Sequence, residues 1–188
     1  MPSPNKEQDL FKPSIRLIGE VDEKMLESFL EQRDKALESS GTISLELMTS
    51  GGIADIGRRI GLEVELTRRV KQRELIFIGK TVVYSAGVTI MAAFPVNCRF
   101  LTDDAQLLIH SRKLEKEVHL AGPSKANVQV AKQILAQVEA GRTLEEEHFG
   151  KLITGSKITL EDVRERAETN WYLPAKQACE LGLIAAVI

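Results

Sequence analysis

The stretch from Thr81 to His110, TVVYSAGVTIMAAFPVNCRFLTDDAQLLIH, constrains this chain more than any other. It follows an apolar run, Leu75 to Gly79 (LIFIG), that reads as a buried strand. Ser85 then stands ahead of a small-residue segment, AGVTIMAA, that winds as a tightly packed helix. A serine at a strand-to-helix junction has its hydroxyl exposed and unpaired helix amides beside it, where a developing oxyanion is stabilised. A second apolar run, QLLI, ends in His110, 25 residues after Ser85, room for a helix and a strand to bring the chain back alongside. A hydroxyl and an imidazole delivered by the ends of two elements are two parts of a nucleophile–base pair. On their own the two residues fit a small helix-start residue and a satisfied core histidine better; the Ser50-Gly51-Gly52 turn upstream changes that balance.

The rest of the chain alternates strand and helix. Residues 1–13, with two prolines and few apolar groups, read as a loose arm. SIRLIG (14–19) is a strand, and Asp22 caps a helix running to about Ser39. TISLELM (42–48) alternates as a strand and runs into Thr49-Ser50-Gly51-Gly52; a helix follows from Ile53 to about Lys71. Beyond the serine helix come a strand at Arg99–Leu101, a turn at Thr102–Ala105 and the QLLI strand. Charge and a Gly-Pro interrupt residues 111–123, and a long helix runs from Ser124 towards Phe149 with Val128, Ala131, Leu135 and Val138 as its stripe. Thr159, with Asp162 three residues on, caps a short helix. WYL (171–173) is a strand, Pro174 opens a helix that Gly182 stops, and LIAAVI is the last strand. Alternation of this kind implies crossovers and a mostly parallel sheet, an α/β fold.

Bulk properties narrow the function classes. A chain of 188 residues can bury about 70% of its unfolded surface around one core. A net charge of −2, without a basic stripe, argues against a nucleic-acid partner. Cys98 and Cys179 lie 81 positions apart with no CxxC spacing, so neither a disulfide framework nor a zinc site is indicated. The N-terminus lacks an apolar signal core. The longest uncharged run, between Lys80 and Arg99, falls short of the roughly 20 apolar residues a spanning helix needs. A soluble, cytoplasmic protein without membrane contact is expected, with no cofactor and no metal.

The Gly51-Gly52 pair frees the backbone to approach a ligand and aims amides at it. No lysine follows in P-loop spacing and no third glycine completes a dinucleotide fingerprint. Placed at the C-terminal ends of parallel strands, the turn and Ser85 would set the amides of Gly52 and Ala86 on one carbonyl oxygen from two sides.

In this order, LELMTSGGIADIGRRI, YSAGVTIMAA, NCRFLTDDAQLLIH and ETNWYLPAKQACELGLI resemble the proteolytic subunit of the ATP-dependent Clp protease. The resemblance covers roughly residues 14–187, by pattern rather than identity. It implies a ClpP/crotonase-like fold of repeated β-β-α units, 14–188 as one domain, and a protruding helical handle at about 111–150. The family's Ser-Pro-Gly-Gly turn is matched by Thr49-Ser50-Gly51-Gly52, its nucleophile segment by Tyr84-Ser85-Ala86-Gly87, and its Ile-His strand end by Ile109-His110.

What the resemblance implies is a serine peptidase acting on peptides or unfolded protein. Ser85 is its nucleophile, His110 its base, Gly52 and Ala86 its oxyanion hole, and Gly51 and Ile53 an edge for substrate pairing. Three departures stand out. The family's triad aspartate falls on Asn170, which also reads as a plain strand-end residue, with Glu168 or Asp162 as alternative sources of charge. The segment between His110 and Asn170 is longer than the family's, and the N-terminal arm is shorter. A homo-oligomeric ring of six or seven subunits, single or stacked, is implied; an AAA+ unfoldase partner is left open by the short arm. Two other classes stay open: a catalytically silent ring component, and an acyl-CoA hydratase or isomerase of the same superfamily. His119 and His148 read as solvated surface.

Overall fold

The computed structural model describes residues 10–113 and 117–188. Strand β1 (Ile15–Ile18) leads to helix α1 (Glu23–Leu37), β2 (Ile43–Thr49), α2 (Ala54–Val70) and β3 (Leu75–Tyr84). Helix α3 (Ala86–Ala92), a 3-10 turn (Val96–Cys98), β4 (Arg99–Leu101) and β5 (Gln106–Ile109) follow. The chain closes with α4 (Ser124–Ile153), α5 (Leu160–Glu168), β6 (Trp171–Pro174), α6 (Ala175–Glu180) and β7 (Ala186–Val187). The fold is α/β, and its sheet is parallel at every pairing except β5 with β6.

Local signals account for the element starts. Asp22 accepts a hydrogen bond from the Met25 amide at 2.8 Å, capping α1. Thr159 and Asp162 form a reciprocal capping box at α5. Strand β2 departs from the half-exposed alternation expected of it: six of its seven residues are buried, Ile43, Leu45 and Leu47 in the main core and Ser44 and Glu46 on the other face against Ser14, Arg16 and Lys80. Its one charged residue, Glu46, is buried and neutralised by Arg16 at 3.2 Å and Lys80 at 2.7 Å.

The first half of β3 pairs with β4, Phe77 opposite Arg99, and the second half with β5, Val83 opposite Leu107. The apolar run reads as a strand stopping at Gly79; β3 instead continues through a kink at Thr81, whose φ is 56°. The sheet forks at that kink. Both β5 and the far end of β3 thereby project beyond β4, and there Ser85 and His110 emerge.

The core packs around Phe29, Leu45, Leu47, Phe77 and Ile90, all essentially inaccessible. Each such side chain contributes about 1.5–3 kcal/mol through burial. Helix α4 runs unbroken through Gly141, buries only Phe149 and Leu152, and leaves Val128, Leu135 and Val138 exposed. Of the expected loose arm, residues 1–9 lie outside the described residues. Leu10 is not loose: it packs against Ile76, Ile78, Cys98 and Phe100, and its carbonyl accepts from Lys80 at 2.6 Å. Among the described residues no helix is long and apolar enough to cross a membrane.

Candidate active site

Ser85 caps α3 with φ 53° and ψ −113°, a conformation outside the ordinary range for a residue with a side chain. Holding it there costs about 1–3 kcal/mol, so the surroundings must over-determine it. They do: the Ser85 amide donates to Leu108 O on β5 at 2.9 Å, and its carbonyl accepts from Val88 N at 2.9 Å. The tight turn lifts the hydroxyl clear of the sheet. Gly51 makes room for it, since a Cβ on Gly51 would lie 2.9 Å from the Ser85 Cβ.

The Gly-Gly turn is tied to the opposite side by Val21. Val21 N donates to Gly51 O and Ile53 N to Val21 O, both at 2.8 Å, and a Cβ on Gly52 would strike Val21 O at 2.5 Å. The pairing edge expected of Gly51 and Ile53 is therefore already occupied. Gly51 N is held by Thr49 Oγ1 at 3.0 Å, and Ile53 O accepts the first amides of α2. Among the described residues the Gly52 amide, by contrast, has no acceptor, nor does that of Ala86 at the first position of α3.

Gly52, Ser85, Ala86 and His110 line one cavity of about 300 Å³. Val88, Ala92, Phe149 and Leu152 form its apolar wall, and Arg112, Lys113, Glu145 and His148 lie around it. His110 leaves the end of β5 half-buried, with Nδ1 2.7 Å from Ser111 O. The Ser85 hydroxyl makes no hydrogen bond to it. The loop after His110 is clamped on three sides. Ser111 N donates to Ala167 O at 3.2 Å, the Arg112 amide to the Glu145 carboxylate, and the Arg112 guanidinium meets Asp55 at 3.1 Å. Burial alone would raise the pKa of Asp55, but Arg112 and Arg58 outweigh it and hold the carboxyl below its usual range.

Asn170 stands in the position facing His110, one step beyond the Ile109–Trp171 pair. It is exposed, its φ is 61°, and its side chain makes no hydrogen bond among the described residues. It follows the α5 C-cap, Thr169, in the left-handed conformation that ends helices, where asparagine is second only to glycine. Asp162 is committed to the α5 cap, and Glu168 faces a neighbouring cavity with Ser111 and Arg112. Neither carboxylate is hydrogen-bonded to His110.

His119 is exposed, as expected, but His148 is not solvated surface. It lies half-buried in the wall of the Ser85 cavity, because the C-terminal end of α4 docks on α3. Burial first, then the charges of Arg58 and Lys151, pull its pKa down to about 4. The neighbouring Phe149, a large apolar side chain near the end of α4, was the one signal available in sequence.

No curated protein matches this sequence significantly. Among solved structures, the chain is similar to a ClpP1 mutant from Listeria monocytogenes in which an asparagine is replaced by aspartate. The TM-score is 0.75 at 17% identity, over 97% of this chain and 95% of that one. The family model for Clp protease matches residues 7–188, nearly the whole length, and the chain belongs to the Clp protease family.

Proposed function

We propose that this chain is a serine peptidase hydrolysing peptide bonds in peptides or unfolded protein. The observation that carries this reading is the strained Ser85 at the end of β3, lining one cavity with His110 from the adjacent β5 and with the free amides of Gly52 and Ala86. Ser85 Oγ bonds to the substrate carbonyl carbon as its proton passes to His110 Nε2, and the oxyanion is held by the two amides. The C–N bond then breaks, with that proton leaving on the amine, and water repeats the sequence to release the acid. Asn170 stands beside the imidazole without charge, so turnover is slow. A fluorophosphonate probe tests this directly: adduct on Ser85, lost in Ser85→Ala, is expected, and an unlabelled wild-type protein would sink the reading.

A catalytically silent ring component is the second reading, favoured by one observation: Ser85 and His110 are not hydrogen-bonded. An acyl-CoA hydratase or isomerase has the same need for two amides but none for an activated serine. Absence of labelling would turn the assignment to one of these two.

Exposed apolar side chains support assembly. Val128, Leu135 and Val138 on α4, with Leu62 and Val70 on α2, are each more than 40% exposed. Apolar surface of this kind is buried when copies of a chain assemble. The reading is a closed homo-oligomeric ring of six or seven subunits, single or stacked. A stable monomer at micromolar concentration in light scattering would contradict it.

A further inference from the structure

The cavity beside Ser85 is apolar on one wall and polar at one point within. Val88 and Ala92 of α3 and Phe149 and Leu152 of α4 supply the apolar surface. His148 interrupts it, and also borders the adjoining cavity with Asp55, Arg58 and Lys151. Neither ring nitrogen has a hydrogen-bond partner among the described residues, and no side-chain nitrogen or oxygen there is sealed from solvent without one. The ring nitrogens are therefore open to solvent, at a residue that lines both cavities. With its pKa near 4, the imidazole is neutral at physiological pH and presents one N–H and one lone pair.

Resting on the reading of Ser85 as nucleophile, we propose that this cavity receives the substrate side chain on the acyl side of the scissile bond. His148 is its specificity-determining residue, selecting an uncharged hydrogen-bonding group on a short apolar stem, glutamine above all. A carboxamide matches the imidazole with one acceptor and one donor while its two methylenes lie on the apolar wall. A leucine fills the same space but strips water from the ring without replacing its hydrogen bonds, a discrimination of about tenfold. An ammonium group meets Arg112 and Lys113 at the cavity, while Arg58 and Lys151 behind it are paired with Asp55 at 3.5 Å and Glu65 at 2.6 Å. A carboxylate meets Glu145, and Arg112 is already engaged by Asp55 at 3.1 Å.

The test is equilibrium binding of fluorescent peptides to the Ser85→Ala protein, the peptides differing only in Gln, Leu, Glu or Lys at that residue. Glutamine is expected to bind at least about fivefold tighter than the other three. Adding His148→Leu should bring leucine level with glutamine or above it, while His148→Gln retains the preference. The readout is a ratio between peptides, so partial loss of folded protein does not shift it. Equal binding, or leucine ahead with His148 in place, overturns the inference; glutamate ahead overturns it in favour of the basic rim. Labelling of wild-type Ser85 by a fluorophosphonate separates the two layers. Labelling with flat selectivity removes only the role of His148, whereas neither labelling nor peptide binding removes the reading of Ser85 as well.

Discussion

His110 presents Nδ1 2.7 Å from the carbonyl oxygen of Ser111, the next residue in its own chain. A carbonyl only accepts, so Nδ1 carries the proton and the lone pair is on Nε2. The tautomer a general base requires is thus held by backbone, and Asn170 contributes neither that bond nor a charge.

Activity should follow from this relationship. Asn170→Ala is expected to change peptidase or esterase turnover less than about threefold, because it removes no bond to His110. Asn170→Asp should raise turnover at least about tenfold by stabilising the imidazolium; the reverse change in another serine protease costs about 10⁴. A hundredfold loss in Asn170→Ala, in a correctly folded protein, would show that the amide orients the ring after all.

Ser85 stores strain, and its removal should be visible in stability. Ser85→Gly accepts φ 53° freely and should gain about 1 kcal/mol, the relief of strain exceeding the added flexibility of the unfolded chain. Ser85→Ala keeps the strain and should stay within about 0.5 kcal/mol of wild type. Urea unfolding distinguishes them; a glycine variant no more stable than the alanine one would mean the turn is not strained.

Arg99 is 1% exposed and, among the described residues, has no carboxylate partner. It donates instead to five carbonyls: Phe94 at 2.8 Å, Leu152 at 2.7 Å, Leu183 at 3.1 Å, Ala92 at 3.2 Å and Lys151 at 3.1 Å. Burial pulls its pKa down to about 10, which leaves it cationic at neutral pH, facing the negative ends of α3 and α4. Arg99→Met should cost about 3–5 kcal/mol, since the orphaned carbonyls stay buried. A cost below about 1 kcal/mol in urea unfolding would show that water replaces the guanidinium.

His148 should make stability depend on pH. Its folded pKa of about 4 lies below the ordinary 6.5, so between these values the unfolded chain binds more protons. Stability therefore rises with pH across that window and is lost as pH falls through it. The full shift corresponds to about 3 kcal/mol, and solvent screening of a half-exposed ring reduces it to about 1 kcal/mol. Arg58, Lys151 and Arg112 act with the burial, and Glu147 opposes it. His148→Leu should flatten the slope in urea titrations from pH 4 to 6.5; an unchanged slope would assign it to other groups.

Sequence alone determined what short-range physics controls. Period-two and 3.6-residue patterns located the strands and helices, and side-chain oxygens at Asp22 and Thr159 marked where helices begin. The Gly51-Gly52 turn, Ser85 and His110 were legible because strand-to-helix junctions and strand ends have local signatures. Tertiary structure decided the rest. Lys80 and Thr81 look like the end of a strand, yet β3 continues, because Lys80 is neutralised by Glu46 on the neighbouring strand and Thr81 bonds Asp104 at 3.0 Å. His148 reads as surface on a polar helix and becomes cavity wall only when α4 docks on α3. By resemblance alone Asn170 reads as standing in for a triad aspartate, but its backbone is the left-handed one that ends α5, and Nδ1 of His110 meets the Ser111 carbonyl instead. Long-range packing carries no local residue code, so those three outcomes were decided only by the folded chain.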